Sequence, residues 1–394
     1  MANNTYNMTA ANLVRDVAPE FQMLIENSPS FLRLLGGLNT SLDVVTGQPI
    51  VKNPKFEWVN ESLQPFKSAI ASFDTDGDGT GVNVADSTGL VAGSIVRFES
   101  SAGASKTELC KIASVDSATD LTLVRDYGST TGVTLSTGDV MILVSTPKQE
   151  SSDAGSGILQ QGTLDYNYTE IFDEIAELSN TNKVTNSYDG STSMSKQVMA
   201  AMVRLARKIE NAVIHGVRVQ RTGDSVPGSS GGFLQFLKAS GGNIDATGGN
   251  LSQTIINNIF QAIYDDGGTS NNYAIICSPN QARRISALNT SGSNPIVYKD
   301  NTDRSLGNFV SSFIGDLPVN GGLYAQVFVA QSMLKDQIAI LDMDRINLRV
   351  MRGLVMKDAT LNGSDYDKQR LITELTLEVN NGTKAHGIAT GLNL

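Results

Sequence analysis

Between Leu164 and Gly216 the apolar positions of the chain change period. In Leu164-Asp165-Tyr166-Asn167-Tyr168-Thr169-Glu170-Ile171-Phe172-Asp173-Glu174-Ile175, large apolar side chains recur mostly every second residue. That spacing predicts one extended strand with a covered face and an exposed face. After the turn cluster Ser187–Ser193 the apolar residues step by three and four, through Val198, Met202, Leu205, Ile209 and Ala212, which collects them on one side of a helix. Lys196, Gln197, Arg204, Arg207, Lys208 and Asn211 take the other side. The Ser191-Thr192-Ser193 run supplies an N-cap and Gly216 a stop, so a helix over 193–215 is predicted, about 30 to 36 Å long.

Other stretches carry weaker patterns. Leu13, Val17, Phe21, Leu24 and Ile25 have helical spacing, followed by a turn at Ser28-Pro29 and an apolar group of Phe31, Leu32, Leu34 and Leu35; this predicts an arm ending in an anchor. Residues 48–71 alternate weakly around Phe56-Glu57-Trp58-Val59 and, like residues 162–181, read as extended, two stretches able to pair as the limbs of a hairpin. An isolated hairpin is marginal in water, so such a limb needs a surface to rest on. Trp58 either anchors that contact or fills a core at the hairpin base, and the pattern allows both roles.

Between the limbs, residues 74–145 show short apolar runs (82–84, 95–98, 109–112, 121–124 and 140–144) separated by Gly, Ser, Thr and Asp clusters. That rhythm predicts a small β-barrel or sandwich. Residues 222–249 are rich in Gly and Ser and read as a flexible loop. Helical spacing returns at 251–264, a buried strand follows at 272–277, and Ser278-Pro279 opens another helix to Leu288, an α/β layer. Strands are predicted at 325–330, 337–341, 346–350 and 370–379. In the last, Leu371, Thr373, Leu375, Leu377 and Val379 share a core face, and Ile372, Glu374, Thr376 and Glu378 a largely wet one. The late strands are expected to form the sheet under the long helix.

The 394 residues suffice for two or three compact units; 37 glycines imply many turns, and 40% hydrophobic content supports folded cores. The net charge of −10 comes without a basic run, which argues against a phosphate-binding stripe. No secretory signal and no apolar run near the ~20 residues of a membrane span is found, so a soluble chain made inside a cell is expected. Cys110 and Cys277 lie far apart, and a disulfide between them is not expected.

Catalytic and metal-binding signatures do not emerge. Asp74-Thr75-Asp76-Gly77-Asp78-Gly79 matches the first half of an EF-hand loop, with Asp74, Asp76 and Asp78 at the carboxylate positions. Position twelve is Ala85 instead of a bidentate Glu, and no amphipathic helix precedes the loop, so a solvated acidic turn is the better reading. His215 and His386 lack a neighbouring ligand set, and His215 suits a helix C-terminus. There is no GxSxG elbow, and the glycine-rich loop fits no phosphate cradle. The expectation is a chain that is not an enzyme, with no catalytic residue, metal or cofactor.

The segments NYTEIFDEIAELSNT (167–181) and SKQVMAAMVRLARKIENAVIHG (195–216) resemble the strand and spine helix of a tailed-bacteriophage major capsid family of the Hong Kong 97 type fold, once catalogued as a domain of unknown function. SPSFLRLLG through FEWVNESL (28–63) and ELTLEVNNGTKAHGIATGL (374–392) agree with it in kind and order. The resemblance implies an α+β fold: an N-terminal arm (1–45), an extended hairpin loop (46–73 and 146–180), and a small all-β insertion domain in that loop (74–145). It further implies a peripheral domain (181–225 and 335–394) with its spine helix at 193–215, and an axial domain (226–334). The implied function is a capsid subunit that assembles into pentamers and hexamers of an icosahedral shell enclosing double-stranded DNA. Phe21, Phe31, Phe56, Trp58, Tyr166, Tyr168 and Phe172 are the candidate contacts between subunits.

The partners implied are further copies of the chain, a separate scaffolding protein, a portal, possible decoration proteins, and packaged DNA held without sequence-specific contacts; no membrane is implied. The expected location is the virion capsid, assembled in the host cytoplasm. Some shells of this fold join Lys to Asn covalently, but no motif around Lys52, Lys55, Lys67, Asn380 or Asn381 supports that here. A cellular nanocompartment shell of the same fold, holding protein cargo, is the alternative. A secreted adhesin or glycan-active enzyme fits only the Gly/Ser/Asn-rich composition.

Overall fold

The computed structural model describes residues 29–36, 51–61, 67–73, 80–150 except 88 and 102, 162–288 except 188, 189, 224 and 269, 312–314 and 324–393. The chain divides into two compact units: Met1–Asn60 with Leu164–Leu394, here the body, and Glu61–Thr163, here the barrel. Phe21 and residues 74–79, with Asp74, Asp76 and Asp78, lie outside the described residues.

Along the chain, α1 (Ser30–Leu34) and β1 (Lys55–Asn60) are followed by β2 (Lys67–Phe73), β3 (Gly81–Val84), β4 (Ile95–Glu99), β5 (Ser105–Val115), β6 (Asp120–Val124) and β7 (Val140–Ser145). The six strands β2 to β7 close into a barrel in the order β2-β3-β6-β5-β4-β7. Alternation explains the closure. Val82, Val84, Val96, Phe98, Cys110, Ile112, Leu121 and Leu123 all point inward and fill one core, because every second residue of a stave faces the axis. The sequence reading assigns residues 67–73 to the hairpin limb; here they are a stave, paired with both β3 and β7.

One barrel interior position is a carboxylate. Glu108 on β5 is fully buried and accepts two hydrogen bonds from Arg125, at 2.5 and 2.6 Å. It also accepts from the backbone N–H of Val133 at 2.8 Å and of Asp126 at 3.2 Å. Burial pushes its carboxyl upward, but Arg125 and these amides outweigh that and hold it down at about 2.

The body continues with β8 (Thr163–Tyr168), β9 (Glu170–Ser179), α2 (Asn180–Val184), α3 (Met194–His215), α4 (Phe233–Leu237), β10 (Asn243–Asp245), α5 (Gln253–Asp265), β11 (Tyr273–Cys277) and α6 (Pro279–Leu288). Then come β12 (Ser312–Ile314), β13 (Tyr324–Val329), β14 (Ile338–Asp342), β15 (Ile346–Asp358), β16 (Tyr366–Val379) and β17 (Gly387–Ala389). These strands form a β1-β8 ribbon, a three-stranded sheet β15-β16-β9 and a six-stranded mixed sheet β10-β17-β14-β11-β13-β12.

The long helix α3 has 22 residues, about 33 Å of rise. It packs on β9 and β16 and buries Leu205, Ile209, Val213 and Ile214 in the body's main core. Its end is fixed by close backbone approach. A Cβ at Gly216 would lie 2.2 Å from the Ser230 carbonyl oxygen, so only glycine lets residues 228–232 cross there.

Four sequence expectations change. The predicted strand 164–175 breaks at Thr169, whose N–H bonds the Pro54 carbonyl at 2.8 Å. Its first part pairs with β1 and its second with β16. Within β8 the covered side chain is Asn167, while Leu164 is 70% exposed. Residues 233–237, inside the expected flexible loop, form α4, whose Phe233, Leu234, Phe236 and Leu237 are all buried. The sheet under α3 contains β9, β15 and β16, whereas β14 and β17, expected in the peripheral domain, lie in the mixed sheet, where β14 pairs with β11 and β17 with β14. Finally, the face of β16 expected to be wet is covered: Glu374, Thr376 and Glu378 are buried.

That covered face keeps its polarity through pairing. Glu374 accepts from Arg352 at 2.8 Å and from the Thr169 hydroxyl at 2.9 Å, and it lies 3.4 Å from Arg221. Glu378 pairs with Arg349, and the Thr376 hydroxyl donates to the Tyr168 carbonyl at 2.9 Å. A buried charge without such partners would cost several kcal/mol.

Candidate functional site

The predicted contact residues fall into three groups. Phe31, Trp58 and Phe172 are 1%, 6% and 5% exposed and belong to the body's own core, which corrects their reading as contacts between subunits. Phe56, Tyr166 and Tyr168 are half-buried at the root of the β1-β8 ribbon, and Phe21 is not among the described residues.

At the ribbon root cations and aromatic rings alternate. Lys55 sits 4.4 Å above the Tyr166 ring, and Arg218 lies 4.7 Å from Tyr166 and 5.1 Å from Phe236. Phe236 meets Trp58 at 5.8 Å, and Trp58 meets Phe56 at 5.9 Å. A guanidinium between two ring faces holds both by charge–quadrupole attraction. Arg218 also donates to Asp165 at 2.9 Å and to the Tyr166 carbonyl at 2.8 Å, so the root is tied by ion pair, backbone bond and stacking together.

Asn167 is the second tie. Its amide donates to the carbonyls of Gly231 and Leu377 at 2.9 and 2.8 Å, and its Oδ1 accepts from the Gly231 N–H at 2.7 Å. The ribbon, the crossing loop and β16 therefore meet on one fully buried amide. Beside it opens a cleft of about 640 Å³, lined by Pro54, Lys55, Glu57, Tyr168, Gln220 and Arg221 among others. Further along the ribbon, Val59 and Leu164 are 61% and 70% exposed.

Sequence reasoning missed Asn167, Arg218 and Glu210. The signal for Asn167 was present: a lone amide between two tyrosines in an alternating strand, on the face the pattern marks as polar. Nothing local distinguished Arg218 or Glu210, because their partners lie far away in sequence.

Among the described residues no group of three or more His, Cys, Asp or Glu side chains is placed to hold a metal ion. Cys110 and Cys277 are free, buried thiols. His386 is fully buried; its Nδ1 accepts from the Asp342 N–H at 2.9 Å and its Nε2 faces the Asn380 carbonyl at 3.3 Å. Burial lowers its pKa to about 3, which keeps the ring neutral. Among the described residues no helix is long and apolar enough to cross a membrane.

Comparison with known proteins gives a single direction. The family model described as SU10 major capsid protein matches residues 2–393. Among solved structures, the cyanophage A-1(L) capsid asymmetric unit is similar with a TM-score of 0.54 at 10% identity, covering 98% of this chain and 99% of that one. The capsid of the native GTA particle, computed with C5 symmetry, is similar with a TM-score of 0.51 at 11% identity, covering 100% of both chains. No curated protein sequence matches the chain.

Proposed function

Because the chain belongs to the SU10 major capsid protein family, we propose that the β1-β8 ribbon is the part through which one copy engages the next. The chain is the major capsid protein of a tailed bacteriophage, with the Hong Kong 97 type fold. Its role is structural, its place is the virion, and it forms capsomers from copies of itself. The finer reading is that these are pentamers and hexamers around double-stranded DNA, assembled in the host cytoplasm with a scaffolding protein, a portal and decoration proteins as partners, and that the chain catalyses nothing. The acidic balance of −10 without a basic run supports DNA contained without specific contacts.

The observation that carries the ribbon proposal is its exposed apolar surface. A two-stranded ribbon is marginal alone, and this one leaves Val59 and Leu164 largely in water. Covering each fully on another copy contributes about 1.5 to 3 kcal/mol. Phe56, Tyr166 and Tyr168, half-buried at the root, are the remaining contact candidates. The test is the double variant Val59→Asp, Leu164→Asp, followed by electron microscopy and calorimetry. The proposal expects unchanged melting with free subunits or capsomers in place of shells. Closed shells of normal size from this variant would refute it.

A further inference from the structure

The most unusual buried group outside the ribbon is Glu210, in the C-terminal third of α3 and 2% exposed. Its Oε2 accepts from the backbone N–H of Phe31 at 3.1 Å and of Leu32 at 3.2 Å. Its Oε1 accepts from the Ser332 hydroxyl at 2.7 Å. Three distant segments of the body, the α1 anchor, the spine helix and the 330–333 turn, thus converge on one carboxylate. Around it the anchor is fastened by apolar and polar contacts: the Phe31 ring meets Phe233 edge-on at 5.2 Å, and the Ser30 hydroxyl donates to the Val329 carbonyl at 2.9 Å.

Among the described residues Glu210 has no countercharge. The basic groups on the elements packed against α1 and α3 are Arg33 on α1, Lys196, Arg204, Arg207, Lys208 and His215 on α3, and Lys368 and Arg370 on β16; β9 brings only the acids Glu170, Asp173, Glu174 and Glu177, and α4, β13 and residues 330–333 bring no basic group. Arg204 and Lys208 pair with Glu174, Lys368 with Glu177 and Arg370 with Asp173, His215 hydrogen-bonds the Ser332 carbonyl at 2.7 Å, and Arg33 is exposed. The described ion pairs of the body do not include Glu210. Elsewhere in the body buried carboxylates keep an Arg: Glu374 has Arg352 and Glu378 has Arg349.

We propose that Glu210 is a latch for the N-terminal anchor, a lone buried carboxylate that holds α1 against the spine helix and makes the docking of the anchor depend on the charge of that one side chain. The logic is an asymmetry. Two of its three donors belong to the anchor, so when α1 leaves, the carboxylate loses most of its stabilisation and the Phe31 and Leu32 amides lose their acceptor. While α1 stays, the carboxylate is kept from water without a cation, so a neutral side chain of the same shape holds the anchor at least as firmly. Burial raises the carboxyl above its ordinary value, and the three donors only partly offset this. The docked anchor is therefore strongest at pH below the ordinary carboxylate value and weakens as pH rises through the raised one.

The test is amide hydrogen exchange of the full chain, read at residues 31–35 and corrected for intrinsic rates, at pH 5 and pH 8. In the native chain protection is expected to be greater at pH 5. Glu210→Gln is expected to keep the protection and abolish its pH dependence, and Glu210→Ala to raise exchange about tenfold or more. Ser332→Ala serves as a milder variant should Glu210→Ala fail to fold; by removing one donor it is expected to deepen the loss of protection at pH 8. Exchange unchanged in Glu210→Ala or Ser332→Ala, or Glu210→Gln loosening the anchor at both pH values, overturns the latch.

Discussion

The barrel and the body solve the same problem, hiding apolar side chains and pairing backbone groups, to different degrees of completion. The barrel closes its hydrogen-bond ladder, so its six strands leave no open sheet edge, and its buried carboxylates Glu108 and Asp139 each have a cation, a bidentate Arg125 and Lys106. The body ends its three-stranded sheet on two outer strands and carries a two-stranded ribbon. It exposes Val59, Leu164, Val184, Met199, Met356 and Leu361 at 55% to 85%. Charge divides the same way: residues 61–163 carry 13 acidic and six basic side chains, a net of −7, leaving −3 for the rest. A unit complete in itself and strongly anionic is suited to solubility, whereas a unit with unfinished edges and apolar projections is suited to association. The difference supports the proposal that self-association runs through the body.

Each unit contains one buried thiol, Cys110 in the barrel and Cys277 in the body, both pushed up to about 12 mainly by burial. Labelling of the two cysteines in denaturant therefore reports the two units separately. Trp58→Ala removes the ring between Phe56 and Phe236 and is expected to cost the body on the order of 4 kcal/mol. Cys277 then labels at lower denaturant while Cys110 does not; equal shifts at both would show that the units do not open independently. Glu108→Ala strands Arg125 and two amides and is expected to cost the barrel about 3 kcal/mol, with Cys110 as the responding thiol.

A pH titration sharpens the contrast. His386 has a folded pKa of about 3 against an ordinary 6.5, so between those values the unfolded chain takes up a proton that the folded chain refuses. Its contribution is complete above about 6.5 and is lost as pH falls toward about 3. Glu108 is depressed from 4.5 to about 2, and its contribution is lost only within that lower window. His386→Asn is accordingly expected to flatten the fall in body stability from pH 6.5 to 4.5 and to leave labelling of Cys110 unchanged. An identical slope in variant and native chain would contradict the assignment. The smallest effect belongs to Arg370→Ala: Arg370 and Asp173 are 44% and 42% exposed, so the stability of either unit is expected to move by no more than about 0.5 kcal/mol.

These contrasts also show what the sequence made legible. Local periodicity specified α3, α5, β11 and the strand rhythm of the barrel, because each element shows its burial pattern within its own residues. It did not show that residues 164–175 serve two sheets, since both halves alternate and the break at Thr169 is imposed by Pro54 and β16, far away in the chain. Alternation in β16 separated an apolar face from a polar one, yet whether the polar face meets water depends on Arg352, Arg349 and residues 228–231 lying over it. Phe233-Leu234-Gln235-Phe236-Leu237 was too short, and too closely flanked by glycines, for a helical period to stand out. At the ribbon root the aromatic residues were visible, but the side chains that tie them, Asn167 and Arg218, act through partners up to 210 positions distant.

The central claim, that the chain completes its burial against copies of itself, is tested most directly by one negative-stain micrograph of the purified protein. Closed polyhedral shells, or capsomers that convert to them, are predicted. A field of compact, isolated monomers at every concentration examined would contradict it.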